Sequence, residues 1–448
     1  MRKTVLFLLF SWAGLSWGAP RIEPRLHSIL LSSTESERIL KVMVELPVPR
    51  MGPEWRLLNR QGVQLRLMQE ARNSQAPILR ALTDRSSFVA RPKRVKQYWL
   101  TNSMMVEASV GTLRVLLSSG GDFVMRFPER FSLIQPYVHG VAGSQPKAFT
   151  YGLEKMRLPE LLRKDPTADG RGVRVGILDT GIDEDHQELH GKVAAFADFS
   201  EREENRPYDD HGHGTHVAGT IAGGAASGTR IGVAPAAKLV IGKIFDEEGS
   251  ADEDQILAGM QWIADPDGNP STDDAPHVVS NSWGNHVPGG DPQNRGGCRA
   301  VTAWLKLSIL PVFAAGNHGP RVQSVSVPAA CPGALGIGAT DENDEIARFS
   351  SRGPVVWSTG TWIQPVLSAP GVKTLSAGLN GRYVTMSGTS MATPHVAGAA
   401  ALALQAFPQV GAEELGRILI RGAVDLGPVG QDPTFGYGRL DLIKAFGP

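Results

Sequence analysis

The chain has 448 residues, 42% of them hydrophobic and 20% charged, a globular composition that excludes wholesale disorder. Its 51 glycines follow no G-X-Y period, which excludes a collagen-like fibre, and 45 Lys+Arg against 45 Asp+Glu leave no bulk charge to draw a nucleic acid. Two cysteines cannot staple a disulfide-dense miniprotein.

Arg2 and Lys3 precede an apolar run at residues 4–10, and Ser16 and Gly18 are small residues at the spacing a signal peptidase needs. The run is well short of the ~20 apolar residues that span a bilayer, so residues 1–18 read as a secretory leader and not as an anchor. The product is expected to be secreted, extracellular or periplasmic. Behind the leader the neutral charge splits. Residues 19–148 carry 19 basic and 10 acidic side chains, and residues 149–448 carry 24 and 35. A basic segment ahead of an acidic body can be drawn onto it.

Residues 39–46 (ILKVMVEL) read as a strand, and 55–82 as one or two amphipathic helices broken near Pro77. Residues 98–108 read as a strand, 112–118 as a short helix and 122–127 as a strand. This order predicts a small α+β unit of ferredoxin-like type. Residues 136–150 are small, polar and Gly/Pro-bearing, as an exposed, cleavable linker would be.

From residue 149 onward apolar runs alternate with helical patterns. Strands are expected at 173–178, 239–245, 277–281, 310–314 and 335–339, and helices at 215–222, 252–264, 300–308, 390–406 and 412–421. Such alternation predicts a three-layer α/β fold around a mostly parallel sheet, with ligand sites at the carboxyl ends of its strands.

Four polar residues stand at such ends. Asp179 closes VGILD, His213 opens a small-residue helix in HGHGTHVAG, Asn317 follows a strand in VFAAGN, and Ser390 begins a helix in SGTSMATPH. A serine hydroxyl needs a base to take its proton, an imidazole suits that task, and a carboxylate fixes the imidazole tautomer. A side-chain amide and a helix N-terminal N–H can hold the oxyanion that follows. Singly, each residue has a plainer reading: Asp179 as a turn residue, Ser390 as an N-cap, Asn317 as a residue tolerant of positive φ, and His213 with His216 as metal ligands.

In their extended wording the motifs resemble the subtilisin-like serine proteases. VGILDTGID (175–183), HGTHVAGT (213–220), SNSWG (280–284), AAGN (314–317) and GTSMATPHVAG (388–398) occur in that family's order. The stretch from SSRGP (350–354) to SAPGV (368–372) looks closest to the bacillopeptidase F-like branch. The resemblance implies Ser390 as nucleophile, His213 as base, Asp179 as its orienter and Asn317 as oxyanion donor. It implies that Ser282, Trp283 and Gly284 pair with an extended substrate, that Ser326 lies near the specificity-pocket floor, and that residues 19–148 are an inhibitory, chaperoning prosegment. The maturation cut is then expected between about residues 136 and 151.

The implied partners are protein or peptide substrates and the chain's own prosegment, with no nucleic acid, no membrane after leader removal, and a monomeric state. No cofactor is implied for the chemistry. Many family members hold calcium in a loop after the histidine helix through an Asn, but residues 224–230 (GAASGTR) have neither Asn nor Asp, and only Glu188 could supply a carboxylate. Acidic loops at 246–248, 252–254 and 265–274 remain weak candidates. Cys298 and Cys331 are the only cysteines and, outside the cytoplasm, are expected to pair. Two readings compete with the protease: an inactive peptide-binding scaffold, and a zinc hydrolase built on the cluster of His211, His213 and His216.

Overall fold

A computed structural model describes residues 20–48, 52–83, 90–141, 147–200, 202–285 and 290–446. The leader, residues 1–18, and the middle of the linker, 142–146, lie outside them. The chain forms two compact units. The smaller combines the chain up to Pro47 with Asn73–Gln97 and Ser103–Phe127; the larger combines Val48–Arg72, Tyr98–Asn102 and everything from Pro128.

The smaller unit carries a five-stranded sheet in the order Arg21–Ile22, Val124–Arg126, Ile39–Glu45, Ser103–Ser109, Arg94–Tyr98. Ile39–Glu45 runs antiparallel to both neighbours. Without the short first strand, the β-α-β-β-α-β order is ferredoxin-like, as expected. Its core is Val42, Val44, Met104, Val106, Leu113 and Leu116. Two local expectations are corrected. Residues 98–108 are not one strand, because the chain turns between Tyr98 and Ser103 with Asn102 in the left-handed region at φ 49°, which Asn tolerates. The helix Arg60–Thr83 also runs unbroken through Pro77, with Ile78 and Leu82 buried beyond it. Burial of that last turn outweighs the hydrogen bond a proline removes.

In the larger unit, a nine-stranded sheet places Arg174–Asp179 third from one edge. Lys238–Lys243 and Val193–Asp198 lie to one side; Val278–Asn281, Leu310–Ala314, Leu335–Thr340 and Leu367–Pro370 lie to the other. These strands are parallel, and only the terminal pair Ala423–Val424 and Arg439–Leu440 is antiparallel. Side chains alternate between two cores with the period of two that strands impose. Val175 and Ile177, Leu239 and Ile241, and Val312 face the helices His213–Ala222 and Thr389–Ala406. Leu178, Val240, Val279 and Phe313 face Glu253–Trp262 and Gly296–Lys306. The result is a helix–sheet–helix sandwich, the three-layer fold the alternation called for.

Chain order reverses direction around Arg174–Asp179, so a crevice opens at the carboxyl end of that strand. Cys298 and Cys331 form a disulfide with Cα atoms 5.2 Å apart, tying the helix Gly296–Lys306 to the segment after Val327. Among the described residues no helix is long and apolar enough to cross a membrane.

The supposed linker is also corrected in part. Tyr137–Val141 is a strand paired antiparallel with Tyr383–Ser387, not loose chain. Just before it, Arg130–Leu133 lies between Ser250–Asp252 and Trp283–Gly284 in a three-stranded antiparallel sheet.

Candidate active site

Asp179 ends its strand and Gly181 turns the chain at once, at φ 114°. A Cβ on Gly181 would sit 1.9 Å from the Tyr208 carbonyl oxygen, so only glycine permits this approach. Thr180 Oγ1 accepts from the Gly214 N–H at 2.9 Å and thereby ties the turn to the start of the histidine helix. That helix start is also held by Asp209, which accepts from the N–H groups of His211, Gly212 and Thr215 and from Thr215 Oγ1. Burial alone would raise the Asp209 carboxyl, but these hydrogen bonds outweigh it and hold it below the usual range.

The consequence is a fixed, fully buried pair: His213 Nδ1 lies 2.8 Å from Asp179 Oδ1. A carboxylate only accepts, so Nδ1 carries a hydrogen, and in the neutral imidazole the lone pair is on Nε2. Nε2 has no hydrogen-bond partner among the described residues. Lys243, the register partner of Asp179, is buried and donates to Thr180 O, Phe245 O and Asp210 Oδ1, which braces the same strand end.

Ser390 is buried in the first turn of Thr389–Ala406. Its hydroxyl donates to the Ile134 carbonyl at 2.9 Å and more weakly to Ser282 O at 3.4 Å, while Ser282 Oγ donates to Ser390 O at 3.0 Å. The expected serine–histidine hydrogen bond is therefore not made in this state, because the chain's own residue 134 supplies the acceptor. Asn317 Oδ1 accepts from the N–H and hydroxyl of Thr389, both at 3.0 Å. That fixes the amide so that Nδ2 points into the crevice, where it donates to Gln135 O at 2.9 Å.

The substrate-pairing residues expected from the motifs meet here as well. Gly284 pairs with Ser132 and Trp283 with Leu133, and the Ile134 N–H donates to Ser282 O at 3.3 Å. Phe131 meets the Trp283 ring edge-on with centroids 5.7 Å apart. Ser326 is buried against Gly284 and Gly316, where a Cβ would come within 2.9 Å of Ser326 Cβ and 2.6 Å of its Oγ respectively. Its hydroxyl has no partner among the described residues. The disulfide follows five residues later.

The histidine cluster does not gather as metal ligands. His213 is engaged by Asp179, whereas His216 Nε2 turns to Thr374 O at 3.1 Å, and burial with the nearby His213 pushes its pKa down to about 3. The calcium loop of related proteins does not fit either. Glu188 Oε1 is met by two donors, the Ser227 N–H at 3.1 Å and the Tyr383 hydroxyl at 2.7 Å, and its buried Oε2 has no partner among the described residues, but residues 224–230 bring no acidic or amide side chain to complete a site. In the loop 265–274, carboxylate oxygens of Asp265, Asp267 and Asp274 lie within 4.8 Å of one another. The backbone N–H groups of Asp267 and Asn269 and the Thr272 hydroxyl already serve those of Asp267 and Asp274.

Asp209, Thr389 and Lys243 are the supporting residues that motif reading passed over. Asp209 offered one signal, an acidic residue shortly ahead of a helix start.

The subtilase family profile matches residues 170–438, and the chain belongs to that family. It is 38% identical over 304 residues to bacillopeptidase F of Bacillus subtilis (strain 168), an alignment covering 62% of this chain and 20% of that protein. It is 36% identical over 294 residues to the serine protease AprX of the same strain, covering 60% and 65%. Against subtilisin Savinase of Lederbergia lenta it is 35% identical over 295 residues, covering 66% and 97%. The chain thus spans a fifth of the first of these relatives and just under two thirds of the second.

Proposed function

We propose that the protein is a serine endopeptidase that hydrolyses peptide bonds through an acyl-enzyme on Ser390. His213 takes the hydroxyl proton and returns it to the leaving amine, Asp179 orients the imidazole, and Asn317 Nδ2 with the Ser390 N–H holds the oxyanion. The observation that carries this reading is the buried Asp179–His213 contact at 2.8 Å, together with a helix-start serine whose hydroxyl touches a peptide carbonyl. A peptide-binding scaffold would need the Trp283–Gly284 strand but not an imidazole with an unshared lone pair.

Substrates are extended protein segments, which join the Trp283–Gly284 strand by β-augmentation. Residues 1–18 direct export, residues 19–148 form an inhibitory prosegment, and residues 149–448 are the monomeric peptidase, released by self-cleavage. Neither calcium nor another metal takes part in the chemistry.

The test is hydrolysis of an unfolded protein by the purified mature form. Phenylmethylsulfonyl fluoride is expected to abolish it, and Ser390→Ala, expressed without its prosegment alongside a separate prosegment chain, to lower it on the order of 10⁶-fold, the size of that loss in subtilisin. Ser390→Ala is also expected to leave the precursor whole. Undiminished hydrolysis in that variant would end the proposal.

A further inference from the structure

The segment from Glu129 to Val141 fills the crevice on both sides of Ser390. Its start is anchored: the Glu129 carboxylate pairs with Arg295 and accepts from Asn285 Nδ2 at 2.9 Å, and the Glu129 N–H donates to Glu253 Oε2 at 2.9 Å. The next residues alternate, with Arg130 and Ser132 exposed and Phe131 and Leu133 buried. Ile134 is buried too, and Gln135 is exposed. The backbone follows the same register. Leu133 N donates to Gly249 O at 2.9 Å, Ile134 N to Ser282 O, and the Ile134 carbonyl receives the serine hydroxyl.

We infer that the bond the enzyme cuts in its own precursor is Ile134–Gln135, with Phe131, Leu133 and Ile134 as the side chains its crevice selects. This rests on the protease reading above and moves the cut just ahead of the expected window of 136–151. Three observations support this bond over its neighbours. Ahead of Pro136, Ile134 is the last residue whose N–H is bonded and whose side chain is buried. Its carbonyl oxygen is the one on Ser390 Oγ. The next bond leads into Pro136, whose nitrogen bears no hydrogen and sits in a rigid ring.

In the intact chain, Asn317 holds the Gln135 carbonyl and not that of Ile134. The precursor is therefore paused one carbonyl short of a reactive alignment. Reaction begins when the hydroxyl leaves the Ile134 oxygen for His213 Nε2. The Oγ–C bond to Ile134 then forms as the proton passes to His213. The C–N bond to Gln135 breaks as its nitrogen takes that proton. Water finally hydrolyses the ester, giving the Ile134 carboxylate and restoring the serine.

The test follows full-length precursor over time by intact mass and terminal peptide mapping. The first products are expected to end at Ile134 and begin at Gln135, whose amine is read free or cyclised. Ile134→Asp would bury an unpaired carboxylate at this position and is expected to slow the first cut at least ~10-fold. The far-UV circular dichroism of the Ile134→Asp precursor should match that of wild type, which separates recognition from misfolding. First products ending at Gln135 or beyond 136, or an Ile134→Asp precursor cut at the wild-type rate and place, would overturn the assignment. If Ser390→Ala precursor is cut as fast as wild type, the protease reading itself fails; if it stays whole while wild type is first cut elsewhere, only this inference does.

Discussion

Two strands of one segment enter the crevice from opposite ends, and they are held in different ways. Arg130–Leu133 has strands on both sides and, with Ile134, sinks three apolar side chains into the protein. Tyr137–Val141 has Tyr383–Ser387 on one side only, and every one of its residues is exposed. Both borrow backbone hydrogen bonds, which read no sequence. The second adds surface contacts, the Tyr137 ring 5.4 Å from that of Phe349 and His139 Nε2 2.7 Å from Ser387 Oγ. Only the first buries side chains, so selectivity is expected on the acyl side.

The largest effect tests what lies between the strands. Asn317→Ala is expected to cut kcat/KM by about 10²–10³, the range seen for the equivalent donor in subtilisin, with KM little changed. Replacing both Cys298 and Cys331 by Ala removes closure of a loop whose ends are 33 residues apart. In the chain-entropy model that costs roughly 3–4 kcal/mol, readable in guanidinium unfolding. A drop below ~1 kcal/mol would mean the link adds little to the fold.

The asymmetry itself is tested by Phe131→Ala against Tyr137→Ala. Losing a buried aromatic is expected to slow precursor cleavage ~10-fold or more, and losing an exposed one less than ~2-fold. Equal effects would dissolve the distinction.

The smallest effect concerns acid. His216 supports Thr374–Ala377, which backs the Tyr383–Ser387 strand, and its pKa of about 3 in the folded protein lies below the ordinary ~6.5. His395, buried in the serine helix, is likewise pushed down to about 4. The unfolded chain therefore takes up more protons, and stability is full above pH ~6.5 and lost as pH falls through 4 and 3. The guanidinium midpoint of Ser390→Ala precursor should fall across that range, and His216→Gln should lessen the fall.

Much of this was legible in the residues, and the exceptions share a cause. Asp179, His213, Asn317 and Ser390 stand where a hydrophobic run ends or a helix begins, so pattern and chemistry coincide. The central strands were equally plain, being short apolar runs between helices. Val193–Asp198 and Leu367–Pro370 escaped notice, the first because it is only partly buried at the sheet's edge, the second because it is four residues ending in proline. Arg130–Leu133 escaped for a deeper reason. Its partners lie more than a hundred residues away in sequence, and nothing local distinguishes it from linker. Asp209 and Thr389 act by hydrogen-bonding neighbours already in place, so their worth shows only once the backbone is folded.

If the segment threaded along Ser390 is cut as proposed, the first scission is expected to belong to a single molecule. Its half-time should stay constant on dilution, whereas cutting by a neighbouring molecule would slow in proportion. On that proposal the same tether would let each chain undergo one event before any foreign protein competes for its serine, and activity would be released at a tempo set by the chain and not by how much of it is present.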